Sequence, residues 1–116
     1  YLRIAEGCDN RCAYCAIPDI RGPFHSRPLE HVLAEARHLA NDGAVELDLV
    51  AQDTTRYGED IYGRRRLPDL LNAVSNVRGV KWVRLLYTHP AHFDGDLVRA
   101  VAQNDRVCRY IDLPVQ

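Results

Sequence analysis

Three cysteines stand close together near the start of the chain: Cys8, Cys12 and Cys15, in a C-x3-C-x2-C spacing. Cysteine thiolates are the usual ligands of iron–sulfur clusters. Three thiolates on one short loop bind three irons of a cubane cluster and leave the fourth iron open. An open iron binds a small ligand and passes it an electron. The spacing therefore predicts a reaction centre rather than a structural crosslink.

Other uses of the cysteines remain open at this point. Structural zinc takes four ligands, so Cys12 and Cys15 would form one pair, with Cys8 and either His25 or Cys108 completing the site. A cluster of inert thiols is a further alternative. Two disulfides are disfavoured, because a disulfide-rich scaffold spreads its cysteines and has a thinner core. Cys108 is distant in sequence, and we interpret it as a small buried hydrophobe.

Composition describes an ordinary globular domain. The chain has 116 residues, of which 47% are hydrophobic and 27% charged, and its formal net charge is −1. This charge provides no bulk attraction to nucleic acid or to a membrane. No apolar run approaches the roughly 20 residues of a membrane span, and no signal peptide is visible. The chain begins at Tyr1, so we expect a piece of a longer protein, and reduced thiols predict a cytoplasmic location.

Apolar periodicity predicts alternating strands and helices in the order βαβαβαβ. The predicted strands are centred on residues 1–5, 45–51, 80–86 and 110–115, and the predicted helices on 28–40, 67–77 and 97–102. Such alternation is typical of a parallel sheet with right-handed crossovers. The fold class is therefore α/β. Four strands do not close a barrel, so we expect a parallel arc, and the loops after its strands are the expected place for chemistry.

Further motifs surround the cysteines. An aromatic residue, Tyr14, directly precedes the last cysteine, where it is able to stack on a purine or simply to pack under the loop. With these motifs the chain resembles the radical S-adenosylmethionine (SAM) enzymes, and within them the methylthiotransferases. The segments that carry the resemblance are Glu6-Gly7-Cys8-Asp9-Asn10-Arg11-Cys12, Ile17-Pro18, Arg21-Gly22, Ser26-Arg27-Pro28 and Leu113-Pro114-Val115-Gln116.

Two branches of that family differ in substrate. One modifies an adenosine in tRNA, and the other adds a methylthio group to the β-carbon of an aspartate in a small-subunit ribosomal protein. The run Ala51-Gln52-Asp53-Thr54-Thr55-Arg56-Tyr57-Gly58 is similar to the ribosomal-protein branch. The tRNA branch stays as the alternative, and a zinc-binding module without catalysis is the second alternative.

The resemblance implies a fold, cofactors and partners. Residues 1–116 would be the N-terminal part of a radical SAM core, which is a partial (β/α)6 barrel, and this piece alone would be inactive. Cys8, Cys12 and Cys15 would hold a 4Fe–4S cluster, and SAM would bind its open iron. A second 4Fe–4S cluster is expected on an absent N-terminal domain, and nucleic-acid contact only through an absent domain. A ribosomal protein would be the substrate, an electron donor a further partner, and no membrane is implied.

The same resemblance suggests residues for SAM binding. Gln52 and Asp53, after the second predicted strand, would contact the methionine end or the ribose. Asp112 and Gln116 would share one face of the fourth predicted strand. Together with Tyr14 these complete the predicted cofactor-binding set.

Overall fold

A parallel three-stranded sheet forms the centre of the molecule. The computed structural model describes residues 1–114. In chain order the elements are β1 (Leu2–Arg3), β2 (Ala5–Glu6), α1 (Ile17–Arg21), β3 (His25–Ser26), α2 (Leu29–Asn41), β4 (Glu46–Val50), α3 (Glu59–Tyr62), α4 (Leu67–Ser75), β5 (Trp82–Leu85) and α5 (Gly95–Gln103). Two single 3-10 turns, Thr54–Arg56 and Pro90–His92, follow β4 and β5.

Strand β4 is central, with β1 on one side and β5 on the other, and both pairings are parallel. Leu49 is the position where the register of all three strands meets, because it lies opposite both Leu2 and Leu85. Consecutive strands of the sheet are linked through α2 and then α4, as parallel pairing requires. The predicted α/β class with a parallel sheet is confirmed.

One face of the sheet is apolar and is covered by helices. Alternate residues of each strand point to this side, as the two-residue period of a strand demands. Helix α2 packs on β1, and α4 packs on β5 and α5. The fully buried core side chains include Leu2, Ile4, Val32, Leu47, Leu49, Leu70, Leu71, Val74 and Val83. Among residues 1–114, no helix has the length and apolar character needed to cross a bilayer.

The opposite face of the sheet is polar. Arg84 of β5 donates from Nε to Glu46 at 2.7 Å, and the same nitrogen lies 3.9 Å from Oδ1 of Asp48. The hydrogen bond from Arg84 lowers the pKa of Glu46. Burial, followed by the neighbouring Glu46, raises the pKa of Asp48. Trp82 lies on the same face and is 48% exposed. This face is the side that a closing barrel would enclose.

The prediction of a fourth strand at 110–115 is wrong for the described part of the chain. Residues 110–114 contain no strand, and a single parallel bridge joins Val107 to Val83. Beyond Cys108 the backbone contacts become isolated, and one of them is the hydrogen bond from the Thr88 N–H to the Asp112 carbonyl at 3.1 Å. The apolar side chains of this segment remain about half exposed, since no further layer covers them. Alternation of apolar residues alone does not form a strand when the backbone lacks a continuous ladder of hydrogen bonds and the apolar side chains are not covered.

Several short elements were not predicted. Strands β2 and β3 form a small antiparallel pair, and α1 and α3 lie in segments that we expected to be irregular. These short elements are linked by hydrogen bonds. The Tyr62 hydroxyl accepts the Leu29 N–H at 2.9 Å, which caps α2. The Ser26 hydroxyl accepts the Gly58 N–H at 2.9 Å. The residues between β1 and α2 are thereby fixed against those that follow β4.

Candidate radical SAM site

The cysteine loop (residues 7–16) leaves β2 through a position that only glycine fits. Gly7 has φ +78°, and a Cβ added there would lie 2.7 Å from the Gly22 carbonyl oxygen and closer still to that of Pro23. The next amide, that of Cys8, donates to the Gly22 carbonyl at 3.1 Å. The start of the loop is therefore held against the end of α1 by direct backbone contact.

The three cysteines of this loop line one cavity. Cys8 is buried, whereas Cys12 and Cys15 are half-buried. A turn brings the last two together, because the Cys15 N–H donates to the Cys12 carbonyl at 3.1 Å. The cavity has a volume of about 400 Å³. Its lining consists of Cys8, Asp9, Arg11, Cys12, Cys15, Pro18, Asp19, Gly22 and Pro23.

The Cys8 thiol has a raised pKa. Burial is the largest cause, the backbone hydrogen bond from Asn10 opposes it, and the nearby Asp53, Cys12 and Cys15 raise the pKa further. A bound cation would favour the thiolate form instead. Three thiols around one cavity are the donor set that an iron–sulfur cluster needs. The chemistry of these side chains therefore fits an iron–sulfur cluster.

The three-cysteine ligation itself stays a prediction. Within residues 1–114, no group of three or more His, Cys, Asp and Glu side chains is already arranged to hold a metal ion. Cys108 is half-buried beside β5, where its N–H donates to the Val83 carbonyl at 2.8 Å. It does not line the cysteine cavity.

The loop after β4 (residues 51–58, the β4 loop) contacts the cysteine loop directly. The Gln52 side chain accepts the Gly7 N–H at 2.7 Å. Arg56 contacts the Asp9 carboxylate at 3.2 Å, and Asp9 in turn accepts the Phe24 N–H at 3.0 Å. The β4 loop therefore fixes the beginning of the cysteine loop at two points. Sequence reasoning singled out Gln52 but missed Asp9 and Arg56, which only the fold brings together.

Asp53 is a buried acidic side chain of the β4 loop, at 1% exposure. Its Oδ1 accepts from the backbone N–H of Thr55 at 3.1 Å and from the Thr55 hydroxyl. Its Oδ2 accepts from the Asn10 amide at 3.0 Å and lies 2.9 Å from Nδ1 of His92. Both oxygens are thus engaged within the protein. The predicted role of Asp53 as a SAM contact is not tested by these contacts and stays a prediction.

The loop after β5 (residues 86–93, the β5 loop) is fastened to the β4 loop from the other side. The Thr54 N–H donates to the Tyr87 carbonyl at 3.0 Å, and its hydroxyl donates to the Leu86 carbonyl at 2.7 Å. The His89 N–H donates to the Thr55 hydroxyl at 3.2 Å. All three loops that follow the parallel strands therefore meet at one end of the sheet, as expected for an α/β site.

The other predicted cofactor residues lie around this end. Tyr14 is 72% exposed on the cysteine loop. Asp112 accepts the Tyr87 N–H through Oδ2 at 2.8 Å, and its carbonyl accepts the Thr88 N–H. Gln116 lies outside the described residues. The roles of these residues in SAM binding stay predictions.

A second cavity, of about 590 Å³, opens where the strands end. Apolar side chains dominate its lining, which consists of Tyr1, Arg3, Ile17, Val50, Ala51, Gln52, Leu86 and Tyr87. Sequence reasoning found only Gln52 among them. The signal that was available is the strand period: Arg3 and Val50 alternate with core residues, and they lie directly opposite each other in the sheet.

Comparison with known proteins extends this description. The chain is 56% identical over its full length to the ribosomal protein uS12 methylthiotransferase RimO of Desulforamulus reducens. It is 53% identical to the protein of the same description from Pelotomaculum thermopropionicum, and 52% identical to that from Acetivibrio thermocellus, again over all 116 residues. The chain spans 26% of the length of each of these relatives.

A family model covers nearly all of the chain. The model described as the radical SAM superfamily matches residues 2–116. This range contains the cysteine loop, the β4 loop and the β5 loop, which are the three segments that meet at the end of the sheet. On this match, the chain belongs to the radical SAM superfamily.

Proposed function

We propose that the whole protein is a radical SAM methylthiotransferase that adds a methylthio group to the β-carbon of an aspartate in a small-subunit ribosomal protein. The observation that carries the proposal is that Cys8, Cys12 and Cys15 all line one cavity, at the end of a sheet of three parallel strands. Identity of 51–56% over the full chain to enzymes described as acting on uS12 supports this choice of substrate.

Membership of the superfamily implies a 4Fe–4S cluster and SAM as cofactors. We assign the cluster to Cys8, Cys12 and Cys15, because their thiols share one cavity. When bound, the cluster and SAM supply the one-electron chemistry that produces a hydrogen-abstracting radical. The protein residues position these groups and keep water away from them.

We assign the SAM molecule to the apolar cavity beside the cysteine loop. Gln52 lies between the two sites, because it lines the apolar cavity and its Oε1 accepts the Gly7 N–H. We expect its amide nitrogen to donate to the carboxylate of SAM. Tyr14 would stack on the adenine, since its ring is largely exposed. Asp112 and Gln116 would contact the ribose side from beyond the β5 loop.

We place the other proposed cofactor and partners outside this chain. We propose that the second 4Fe–4S cluster is held elsewhere in the whole protein, because Cys108 is the single cysteine of this chain outside the cysteine loop. We also assign any nucleic-acid contact to another domain, since the net charge of −1 gives this one no general attraction to phosphate. An external electron donor completes the set.

The test uses the whole protein after anaerobic reconstitution with iron and sulfide. We expect SAM to change the electron paramagnetic resonance spectrum of the reduced wild-type protein, because SAM binds at an open iron. Cys12→Ala should abolish this change, whereas Cys108→Ala, as the matched cysteine control, should retain it. A colourless protein that retains zinc would refute the cluster assignment.

Substrate choice is tested in the same preparation. Wild-type protein is supplied with SAM, a reductant and a sulfur source, together with recombinant uS12 or with unmodified tRNA. We expect mass spectrometry to show a methylthio group on an aspartate of the ribosomal protein and none on the tRNA. Modified tRNA with unmodified ribosomal protein would reject the proposed substrate and favour the tRNA branch.

A further inference from the structure

Asp53 lies at the point where the three loops meet, and its two carboxylate oxygens contact different loops. Oδ1 serves its own loop, through the backbone N–H and hydroxyl of Thr55. Oδ2 serves the other two, because it accepts from Asn10 of the cysteine loop at 3.0 Å and lies 2.9 Å from Nδ1 of His92 in the β5 loop. One oxygen atom therefore joins two segments that are 82 residues apart in sequence, from position 10 to position 92.

Because the Asp53 carboxylate is buried, it depends on these hydrogen-bond partners. Asp53 is 1% exposed, and a carboxylate removed from water is destabilising unless its oxygens are hydrogen-bonded. The contacts from Thr55, Asn10 and His92 provide that compensation. Any movement of Asn10 or of His92 away from Oδ2 leaves part of a buried charge unpaired, and this is costly in a low-dielectric interior.

We infer that Asp53 is a positioning residue, which fixes the cysteine loop to the β5 loop through Asn10 and His92. It acts through its neighbours rather than on SAM, because protein groups already occupy both of its oxygens. Asn10 lies between Cys8 and Cys12, so its place determines where the backbone between these two thiols runs. The link between the loops stands without any cofactor, and its effect on the cluster depends on the proposed function.

His92 makes the link sensitive to the β5 loop as a whole. Its ring is packed at 4.8 Å from the ring of His89, with an angle of 31° between them. Its carbonyl accepts from Arg65 at 3.0 Å, and Arg65 also lies 3.7 Å from the carboxylate of Asp94, which caps α5. The ring and the backbone carbonyl of His92 are therefore each in contact with a neighbour while the ring contacts Asp53.

Hydrogen exchange of the metal-free whole protein tests the link directly. The reporters are the amides of Gly7 and Cys8, which are hydrogen-bonded to Gln52 and Gly22. We expect His92→Ala to accelerate their exchange about threefold, although residue 92 contacts neither amide, because opening of the loop becomes easier. The matched control is His38→Ala, at a histidine whose side chain is 75% exposed and lies 3.3 Å from the carboxylate of Asp42.

A rescue experiment separates positioning from simple burial. Asp53→Ala should accelerate the same amides more than His92→Ala does, because it removes both ends of the link. Asp53→Asn should retain most of the protection: its amide oxygen still accepts from Thr55, and its NH2 group finds acceptors when the Asn10 amide rotates and His92 changes tautomer. If Asp53→Ala does not fold, Asn10→Ala replaces it, since residue 10 is only half-buried.

The cluster gives an independent readout. After reconstitution, we expect a chelator to remove iron several times faster from His92→Ala than from wild type or His38→Ala. Equal exchange of Gly7 and Cys8 in His92→Ala, His38→Ala and wild type would overturn the inference, and so would unprotected amides in the wild-type protein. If wild type takes up no cluster while the exchange results hold, the proposed function fails and the positioning role of Asp53 stands.

Discussion

The cysteine loop and the β4 loop lie side by side at the same end of the sheet, yet they are built in opposite ways. In the cysteine loop, Tyr14 is 72% exposed and two of the three cysteines are half-buried. In the β4 loop, Asp53, Thr54 and Tyr57 are buried at 1% exposure or less. One loop presents its reactive side chains, while the other turns its polar side chains inward.

The difference shows how an exposed set of ligands acquires a defined geometry. The cysteine loop is held in place by contacts at Gly7, Asp9 and Asn10 with the β4 loop. The β4 loop is in turn fixed by buried hydrogen bonds to the β5 loop. Chemistry and rigidity are therefore divided between two segments, and variants of each should behave differently.

The largest effect is expected where the cysteine loop begins. Gly7→Ala should lower the free energy of unfolding by about 2–4 kcal/mol, since it combines a positive φ with a backbone clash. Gly63→Ala is the matched control, because Gly63 also has a positive φ of +72° but nothing within 4 Å of the added Cβ. We expect about 1 kcal/mol for the control. Urea denaturation of the metal-free protein measures both, and equal losses would show that the close approach is unimportant.

Removal of one hydroxyl should distinguish the two loops. The Tyr57 hydroxyl is buried and donates to the Arg27 carbonyl at 2.8 Å. Tyr57→Phe should therefore cost about 1–2 kcal/mol of stability. Tyr14→Phe, in the exposed loop, should change it by less than about 0.5 kcal/mol. Thermal denaturation provides the comparison, and a larger loss for Tyr14→Phe would reverse the assignment of rigidity to the β4 loop.

Acid should weaken the hydrogen bond between Ser26 of β3 and the carboxylate of Asp60 in α3. Partial burial of Asp60 opposes its charge, but hydrogen bonds from Ser26 outweigh this and lower the pKa of Asp60. A lowered folded pKa means that stabilisation is present above the unfolded value, about 3.9, and is lost as the pH falls through the folded value. Asp60→Asn should reduce the decline in the free energy of unfolding between about pH 5 and pH 3, measured by urea denaturation, by at most about 0.5 kcal/mol.

The control for this pH series is Asp105→Asn, because the Asp105 side chain is 95% exposed on a turn remote from Ser26. Its profile should follow that of wild type. An Asp60→Asn profile that is indistinguishable from both would show that the hydrogen bonds from Ser26 contribute no pH dependence.

The smallest effect on stability is expected at a cysteine. Cys15→Ala should leave the free energy of unfolding of the metal-free protein within about 0.5 kcal/mol of wild type, because the side chain is only half-buried. The same variant should lose the spectral response to SAM. A substantial loss of stability in the metal-free protein would mean that the cysteine loop, like the β4 loop, contributes to the stability of the fold.

Much of the architecture was predictable because its elements follow simple periods. Helix α2, with Val32 and Ala36 buried, and strand β4, with Leu47 and Leu49 buried, obey the 3.6-residue and 2-residue repeats. The prediction of a fourth strand failed, although the alternation of apolar residues is real. The segment forms only a single bridge to β5 within the described residues, and its apolar side chains are not covered. A period reports which side chains could be buried, whereas a strand also needs a partner for its backbone.

The site was predictable in its ligands but not in their support. The spacing of Cys8, Cys12 and Cys15 is local, so sequence alone places them in one loop. The contact from Asn10 to Asp53, by contrast, spans 43 residues and depends on the packing of two loops. No local pattern indicates which oxygen of Asp53 will meet which donor, and that is why its several protein partners were not anticipated.

The polar face of the sheet provides the molecule with a built-in optical probe. Trp82 is the only tryptophan in the sequence, and it is 48% exposed on the face that carries Arg84. Indole fluorescence shifts to shorter wavelength when water is excluded from the ring. We therefore expect the emission of Trp82 to shift to shorter wavelength when another layer of protein covers this side of the sheet.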